Sequence, residues 1–236
     1  MEIIAEVGLN HGGNLNKALE MTRVAKECGA SIVKFQFYYT DVLCVNRNCF
    51  DAYKLLDKIR MRPQWIPILA DECKQQGVEF LCTAFCKYSI ETIAPYVQRF
   101  KIASPEVANL EFVKHVASYG KPLILSNGKI TLEGLEKIFD VVSVPISILL
   151  CVSKYPAAIG EYDLTDIHKL KKHFKCPVGL SDHTQGLSLS IKAAEMGADI
   201  IERHFMTDKS AVDVAVSLMP NEFLKLTDII RRKNGN

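Results

Sequence analysis

Pro177-Val178-Gly179-Leu180-Ser181-Asp182-His183 and Asp199-Ile200-Ile201-Glu202-Arg203-His204-Phe205 are apolar runs that each end on a polar pair two residues apart. Ser31-Ile32-Val33-Lys34-Phe35-Gln36-Phe37 has the same pattern earlier in the chain. Residues i and i+2 of a β-strand share a face. Ser181 therefore points with His183, Glu202 with His204 and Lys34 with Gln36, each pair at the C-terminal end of its strand. Two histidines, a carboxylate, a lysine and a small hydroxyl gathered at one end of a sheet predict an active site rather than a packed core.

Strand and helix periods alternate through the whole chain. Residues 3–9 read as a strand and 15–28 as its helix; 31–37 is followed by a long loop and then a helix over 64–76. The remaining pairs are 79–85 with 88–96, 99–104 with 109–119, 122–127 with 132–141, 145–153 with 164–174, 177–183 with 187–196, and 199–205 with 222–232. Gly29, Gly77, Gly120 and Gly197 stand where left-handed caps end helices. Asn14, Asn109, Thr131 and Asp163 stand where N-caps belong. Pro122, Pro145 and Pro177 open strands, where a missing N–H donor is tolerated.

Eight units of about 29 residues predict an α/β protein with one domain over residues 1–236, a (β/α)8 TIM barrel, whose usual length is about 250 residues. The competing fold, an open doubly wound sheet, places a GxGxxG phosphate loop after its first strand; Gly8-Leu9-Asn10-His11-Gly12-Gly13 is glycine-rich without that spacing. A barrel collects its chemistry at the C-terminal strand ends, and the polar residues fall there. Glu6 is on the first strand, Lys34 and Gln36 on the second, Thr83 on the third, and Lys101 and Ser104 on the fourth. Ser126 ends the fifth, Ser153 and Tyr155 follow the sixth, Ser181 and His183 end the seventh, and Glu202 and His204 end the eighth.

Composition narrows the partners. A formal net charge of +2 makes no electrostatic case for nucleic acid, and the basic residues of 168–175 and 231–233 read as solvated helix faces. The longest apolar stretch, 141–152, is broken by Ser143, Pro145 and Ser147 and is too short for a bilayer. The N-terminus has no secretory leader pattern, and the eight cysteines form no CxxC pair. A cytoplasmic protein with reduced thiols and no membrane or nucleic-acid partner is expected.

At the strand ends, His183 and His204 on neighbouring strands can share a divalent ion and leave positions open for water and substrate; without an ion they are hydrogen-bonded site histidines. Two protein ligands suit an exchangeable Mn2+ or Mg2+ better than structural zinc. Lys34 and Lys101 point inward, where an unpaired ammonium is costly. Glu6 can neutralise one of them. The other, with the hydroxyls of Thr83, Ser104, Ser126 and Ser181, suits a phosphate or carboxylate, against the plainer reading of a salt bridge in the barrel floor. Glu202 either bonds substrate hydroxyls or partners a lysine, and Asp213, in the last loop, reaches the mouth or serves a turn. Tyr53 and Trp65 read as packing residues.

Six motifs in order make the chain resemble the sialic acid synthase family from about residue 3 to 224: Ile4-Ala5-Glu6-Val7-Gly8-Leu9-Asn10-His11-Gly12-Gly13, Val33-Lys34-Phe35-Gln36, Lys101-Ile102-Ala103-Ser104, Cys151-Val152-Ser153-Lys154-Tyr155-Pro156, Gly179-Leu180-Ser181-Asp182-His183-Thr184 and Ile201-Glu202-Arg203-His204-Phe205. The resemblance implies a barrel enzyme that condenses phosphoenolpyruvate with an N-acetylated amino sugar, N-acetylmannosamine or a diacetamido relative, giving a nonulosonic acid and phosphate. It implies phosphoenolpyruvate contacts at Lys34, Thr83, Lys101, Ser104, Ser126, Ser153 and Ser181, and metal ligands at His183 and His204, with Mn2+ first and Mg2+ or Co2+ as alternatives. Glu6 matches the acidic group at the reacting centre, and Lys101 is expected to act there with it. Gln36, Tyr155, Glu202 and Asp213 match the sugar side. Family members commonly carry a C-terminal antifreeze-like domain, which in bacterial enzymes lends an arginine to a dimer partner's sugar site; the sequence shows neither that domain nor the usual helix before the first strand. A homodimer through the barrel surface, or a separate antifreeze-like polypeptide, is the expected partner. The loop Asp208-Lys209-Ser210-Ala211-Val212-Asp213 is shorter than usual and has no Gly-Pro before its Asp. The alternative is a binding-only barrel that keeps phosphoenolpyruvate and metal sites without turnover.

Overall fold

A computed structural model describes residues 1–233. Eight parallel strands hydrogen-bond in sequence order and close into a barrel: β1 (Glu2–Gly8), β2 (Ile32–Phe37), β3 (Glu79–Ala84), β4 (Phe100–Ile102), β5 (Leu123–Ser126), β6 (Ile146–Cys151), β7 (Val178–Asp182) and β8 (Ile200–His204). The outer helices are α1 (Leu15–Glu27), α2 (Thr40–Arg47), α3 (Tyr53–Ile59), α4 (Trp65–Gln76), α5 (Lys87–Ile93), α6 (Ser104–Val107), α7 (Leu110–Ala117), α8 (Leu132–Val141), α9 (Asp166–Phe174), α10 (Ser188–Glu195) and α11 (Pro220–Lys233). Among the described residues no helix is long and apolar enough to cross a membrane, and all eight cysteines are free thiols.

The local signals account for most of these boundaries. Asn14, Asn109 and Thr131 each accept a backbone N–H three residues on, at the starts of α1, α7 and α8. Gly77 ends α4 in the left-handed conformation. The carbonyls of Pro122, Pro145 and Pro177 accept from the preceding strands, so each proline enters the ladder through its one remaining backbone group. Two expectations are corrected. Asp163 does not cap α9; its carboxylate closes a turn on the N–H and hydroxyl of Thr165, and α9 begins at Asp166. The stretch after β2 is not an open loop but holds α2 and α3, whose few apolar residues have too short a period to show in the sequence.

Along β7 and β8, outward residues alternate with the inward polar pairs. Asp182 and Arg203 are register partners with fully buried side chains, and Arg203 Nη1 lies 2.6 Å from Asp182 Oδ2. Asp182 also accepts from Ser190 Oγ (2.5 Å) and Thr184 Oγ1 (2.7 Å), and Arg203 donates to Thr184 O (2.9 Å). Removing one member of a buried pair strands the other's charge. Arg203→Met should therefore lower unfolding free energy by about 3–5 kcal/mol, read from the midpoint of a urea transition.

Candidate active site

A buried aliphatic plug of Ile4, Ile32, Leu81, Ile124, Leu149 and Ile200 fills the barrel interior. Two residues further along the same strands, on the same face, stand Glu6, Lys34, Thr83, Ser126, Cys151 and Glu202. One more step brings Gln36 and His204 to the rim. The polar layer thus rests on a dry floor and opens only toward the C-terminal mouth, as in barrel enzymes generally. A cavity of 270 Å³ occupies this mouth. Glu6, Lys34, Gln36, Thr83, Lys101, Ser104, Ser126, Ser153, Tyr155, Ser181, His183, Glu202 and His204 all line it, and Asp213 does not.

The two lysines have different surroundings. Lys34 Nζ lies 2.8 Å from Glu6 Oε2 and 3.5 Å from Glu202 Oε2, and donates to Thr83 Oγ1 at 3.1 Å. Burial disfavours its charge, but Glu202 and Glu6 outweigh that and raise its pKa. Lys101 Nζ donates to Ser126 Oγ at 2.7 Å and to Ile102 O at 3.4 Å, and among the described residues no carboxylate forms an ion pair with it. Burial lowers its pKa, with Glu202 pulling it back up and Lys34 pushing it down. Burial likewise opposes ionisation of Glu202, but Lys101, Lys34 and the hydrogen bond from Ser181 Oγ (2.9 Å) hold it below the usual carboxylate range. Gln36 Nε2 donates to Glu6 Oε1 at 2.8 Å, beside a bulge at Gly8, which takes φ +53°; a Cβ there would crowd Glu6 Oε1 at 3.1 Å.

On the β5 side of the mouth, Gly128 N donates to Ser104 Oγ at 3.2 Å. A Cβ at Gly128 would lie 2.7 Å from Cys151 O and 2.8 Å from Ser153 Oγ, so only glycine lets the chain approach so closely. Ser153 Oγ is buried and has no hydrogen-bond partner. An orphaned buried hydroxyl in the same cavity as an ammonium without an ion pair is suited to an anionic oxygen.

The imidazoles close the far side. His183 and His204 have ring centroids 5.5 Å apart, and the Tyr155 ring stacks on His183 at 4.2 Å. His183 Nδ1 is 2.7 Å from Val152 O, a contact that an Nδ1–H satisfies and that leaves Nε2 for other partners. His204 Nδ1 is 3.2 Å from Asp213 Oδ2, within ion-pair distance though without hydrogen-bond alignment. A carbonyl or carboxylate behind one ring nitrogen is the usual backing of a metal-bound histidine. The pair thus fits a divalent ion held by two nitrogens. Among the described residues no cluster of three or more His, Cys, Asp or Glu forms a closed metal site, so water and substrate oxygens would complete the shell.

Several residues of the mouth carry no sequence signal. Arg47 and Phe85 line it, Arg47 sitting 4.9 Å over the Phe85 ring and 2.5 Å from Glu106 Oε1. Lys129 and Cys151 also line it. Arg47 and Lys129 sit on the connections after β2 and β5, whose course strand periodicity does not reveal.

The fold and site define a (β/α)8-barrel enzyme with a cation-and-hydroxyl pocket facing two imidazoles. The chain belongs to the NeuB family, whose model matches residues 21–235. It is 36% identical to the N,N'-diacetyllegionaminic acid synthase of Legionella pneumophila, over 97% of this chain and 71% of that protein. It is 34% identical to a pseudaminic acid synthase of Campylobacter jejuni, over 98% of this chain and 73% of that one. The crystal structure of the N-acetylneuraminic acid synthetase of Leptospira borgpetersenii with citrate superposes with a TM-score of 0.93 at 30% identity, covering 99% of this chain and 85% of that one.

Proposed function

We propose that this protein condenses phosphoenolpyruvate with the open-chain form of an N-acetylated amino sugar, releasing phosphate and forming a nonulosonic acid. The observation that carries this reading is the placement of Lys101, without a carboxylate partner, and the unpartnered Ser153 hydroxyl in the cavity that His183 and His204 also line. The names of the relatives, synthases of legionaminic and pseudaminic acid, support a diacetamido sugar as acceptor, with N-acetylmannosamine as the other substrate of the same class.

Lys101, Ser104, Ser126 and Ser153 would hold the phosphate and carboxylate of the enol phosphate, with Lys34 and Thr83 on the carboxylate side, fixing its C3 toward the imidazoles. His183 and His204 would hold Mn2+, with Mg2+ or Co2+ as substitutes, and the ion supplies Lewis-acid polarisation of the sugar carbonyl. Gln36 and Tyr155 flank the acceptor. Attack by C3 breaks the carbonyl π bond of the sugar and leaves positive charge at C2. Water adds there, and Glu6 would take its proton and pass it to the new alkoxide. The C2–O bond to phosphate then breaks, the C2 hydroxyl giving up its proton to the departing phosphate as the ketone forms. Lys34 Nζ, 2.8 Å from Glu6 Oε2, fixes where that carboxylate stands.

The test is phosphate release from phosphoenolpyruvate with Mn2+ and a panel of N-acetylmannosamine and diacetamido-trideoxyhexoses. Release with one or more of these sugars and none without sugar is expected. Glu6→Gln should lower turnover by about 10²–10⁴-fold while phosphoenolpyruvate affinity stays within threefold of the parent. Tight phosphoenolpyruvate binding with no release on any sugar would instead favour a binding-only barrel, and near-normal turnover of Glu6→Gln would remove Glu6 from the proton transfer.

A further inference from the structure

Asp213 Oδ2 lies 3.2 Å from His204 Nδ1 without lining the cavity, and it sits in a loop whose own sequence gives no reason for that placement. The reason lies across the barrel seam, in the loop after β1. Asn10 is buried and uses both ends of its amide. Its Nδ2 donates to Phe205 O and to Ser217 Oγ, each at 2.9 Å, and its Oδ1 accepts the Asp213 N–H at 2.9 Å. Ser217 Oγ in turn donates to Asp213 O at 2.7 Å. One side chain therefore ties the residue next to His204 to both backbone groups of Asp213, one of them through Ser217. The strand exit is pinned as well, since Leu218 N donates to His204 O at 2.9 Å.

We propose that Asn10 is a positioning residue for His204: it holds the last loop so that the Asp213 carboxylate stays behind the imidazole Nδ1 and the ring presents Nε2 to the cavity. The proposal rests on the reading of His204 as a metal-facing ligand, and it moves Asp213 from the sugar side of the site to the support of that ligand. No hydrophobic contact could do the same job. An amide has a donor and an acceptor on one rigid plane, and here each meets its complement at ordinary hydrogen-bond length. Partners behind a metal-bound histidine typically matter by 10–100-fold in metal affinity.

Two measurements test it. In the metal-free protein, long-range proton–nitrogen NMR should show His204 as the Nδ1–H tautomer, and Asn10→Ala and Asp213→Asn should each turn it into a mixture. In Mn2+ titrations by calorimetry, each substitution should weaken binding roughly 10–100-fold, and the double variant should be no weaker than Asp213→Asn alone, because both act through one carboxylate. Phosphoenolpyruvate affinity of the metal-free variants should stay at the parent value, which separates a local effect from loss of the fold. If Asn10→Ala does not yield folded protein, Ser217→Ala replaces it, with the same direction and a smaller shift expected. Parental tautomer in a folded Asn10→Ala or Ser217→Ala variant, or independent multiplying effects of Asn10 and Asp213, would overturn the proposal. A parent that binds no Mn2+ would overturn the metal reading, and the tautomer alone would then decide the role of Asn10.

Discussion

Lys101→Met should weaken phosphoenolpyruvate binding by about 10²–10³-fold and leave the protein at least as resistant to urea as the parent. The two halves of that result come from one fact. Lys101 is buried, with a serine hydroxyl and a backbone carbonyl as partners and no ion pair. In the free protein burial opposes its charge, Glu202 offsets only part of that without forming an ion pair with it, and a methionine of similar length relieves the rest. In the complex that charge meets an anion in a dry pocket, where losing it is expensive. Lys34→Met gives the opposite stability result. It leaves Glu6 and Glu202, both of which Lys34 contacts, without their shared cation, and should destabilise the fold by about 3–5 kcal/mol. The pair of variants thus separates a lysine whose charge serves the bound anion from one whose charge the fold also needs. Acidity gives a second signature: because burial lowers the Lys101 pKa, its proton leaves at lower pH than an ordinary lysine's. Phosphoenolpyruvate affinity, measured by calorimetry without metal, should fall as pH rises through that lowered pKa, and Lys101→Met should flatten the decline. Unchanged affinity in Lys101→Met would place the anion elsewhere.

The inward direction of Lys34 was legible in the sequence because strand periodicity is strict: with Ile32 in the plug, Lys34 must point the same way, whereas Lys101, on the three-residue β4, takes its direction from its pairing with Ile124. The same rule places Glu202 and His204 above Ile200. Which lysine is neutralised was not legible, since it depends on cross-strand register; Glu6 stands opposite Lys34 on β2 and opposite His204 on β8. Caps were readable where a side chain meets its own helix, as at Asn14 and Thr131. They failed at Asp163, whose two nearest donors belong to a turn. Arg47, Lys129 and Asn10 were invisible for a shared reason. Their positions follow from how connections fold over the mouth, and no period in the sequence reports that. The motif holding Asn10 was noticed for its glycines, while the residue with structural consequence was the asparagine between strand and turn.

The double substitution His183→Gln/His204→Gln should cut phosphate release by roughly 10³-fold or more, equivalent to about 4 kcal/mol of transition-state stabilisation, and abolish stimulation by Mn2+. Glutamine keeps the bulk and polarity of the site and replaces the aromatic nitrogen donor by a weaker amide oxygen. The prediction is sharp because the imidazoles and the anion pocket use different supports. His183 is held by Val152 O and the Tyr155 ring, and His204 by the loop that carries Asp213. Lys101 and Ser126 are held by β4 and β5, across the barrel. Phosphoenolpyruvate affinity in the metal-free double variant should therefore stay within about threefold of the parent, the additivity expected of separated sites. Chelation of the parent should reproduce the lost rate, and added Mn2+ should restore the parent but not the variant. Turnover that survives the double substitution with Mn2+ stimulation intact would show that the ion binds elsewhere. Loss of phosphoenolpyruvate affinity together with the rate would show that the two halves of the mouth act as one network, so that the imidazoles also hold the enol phosphate.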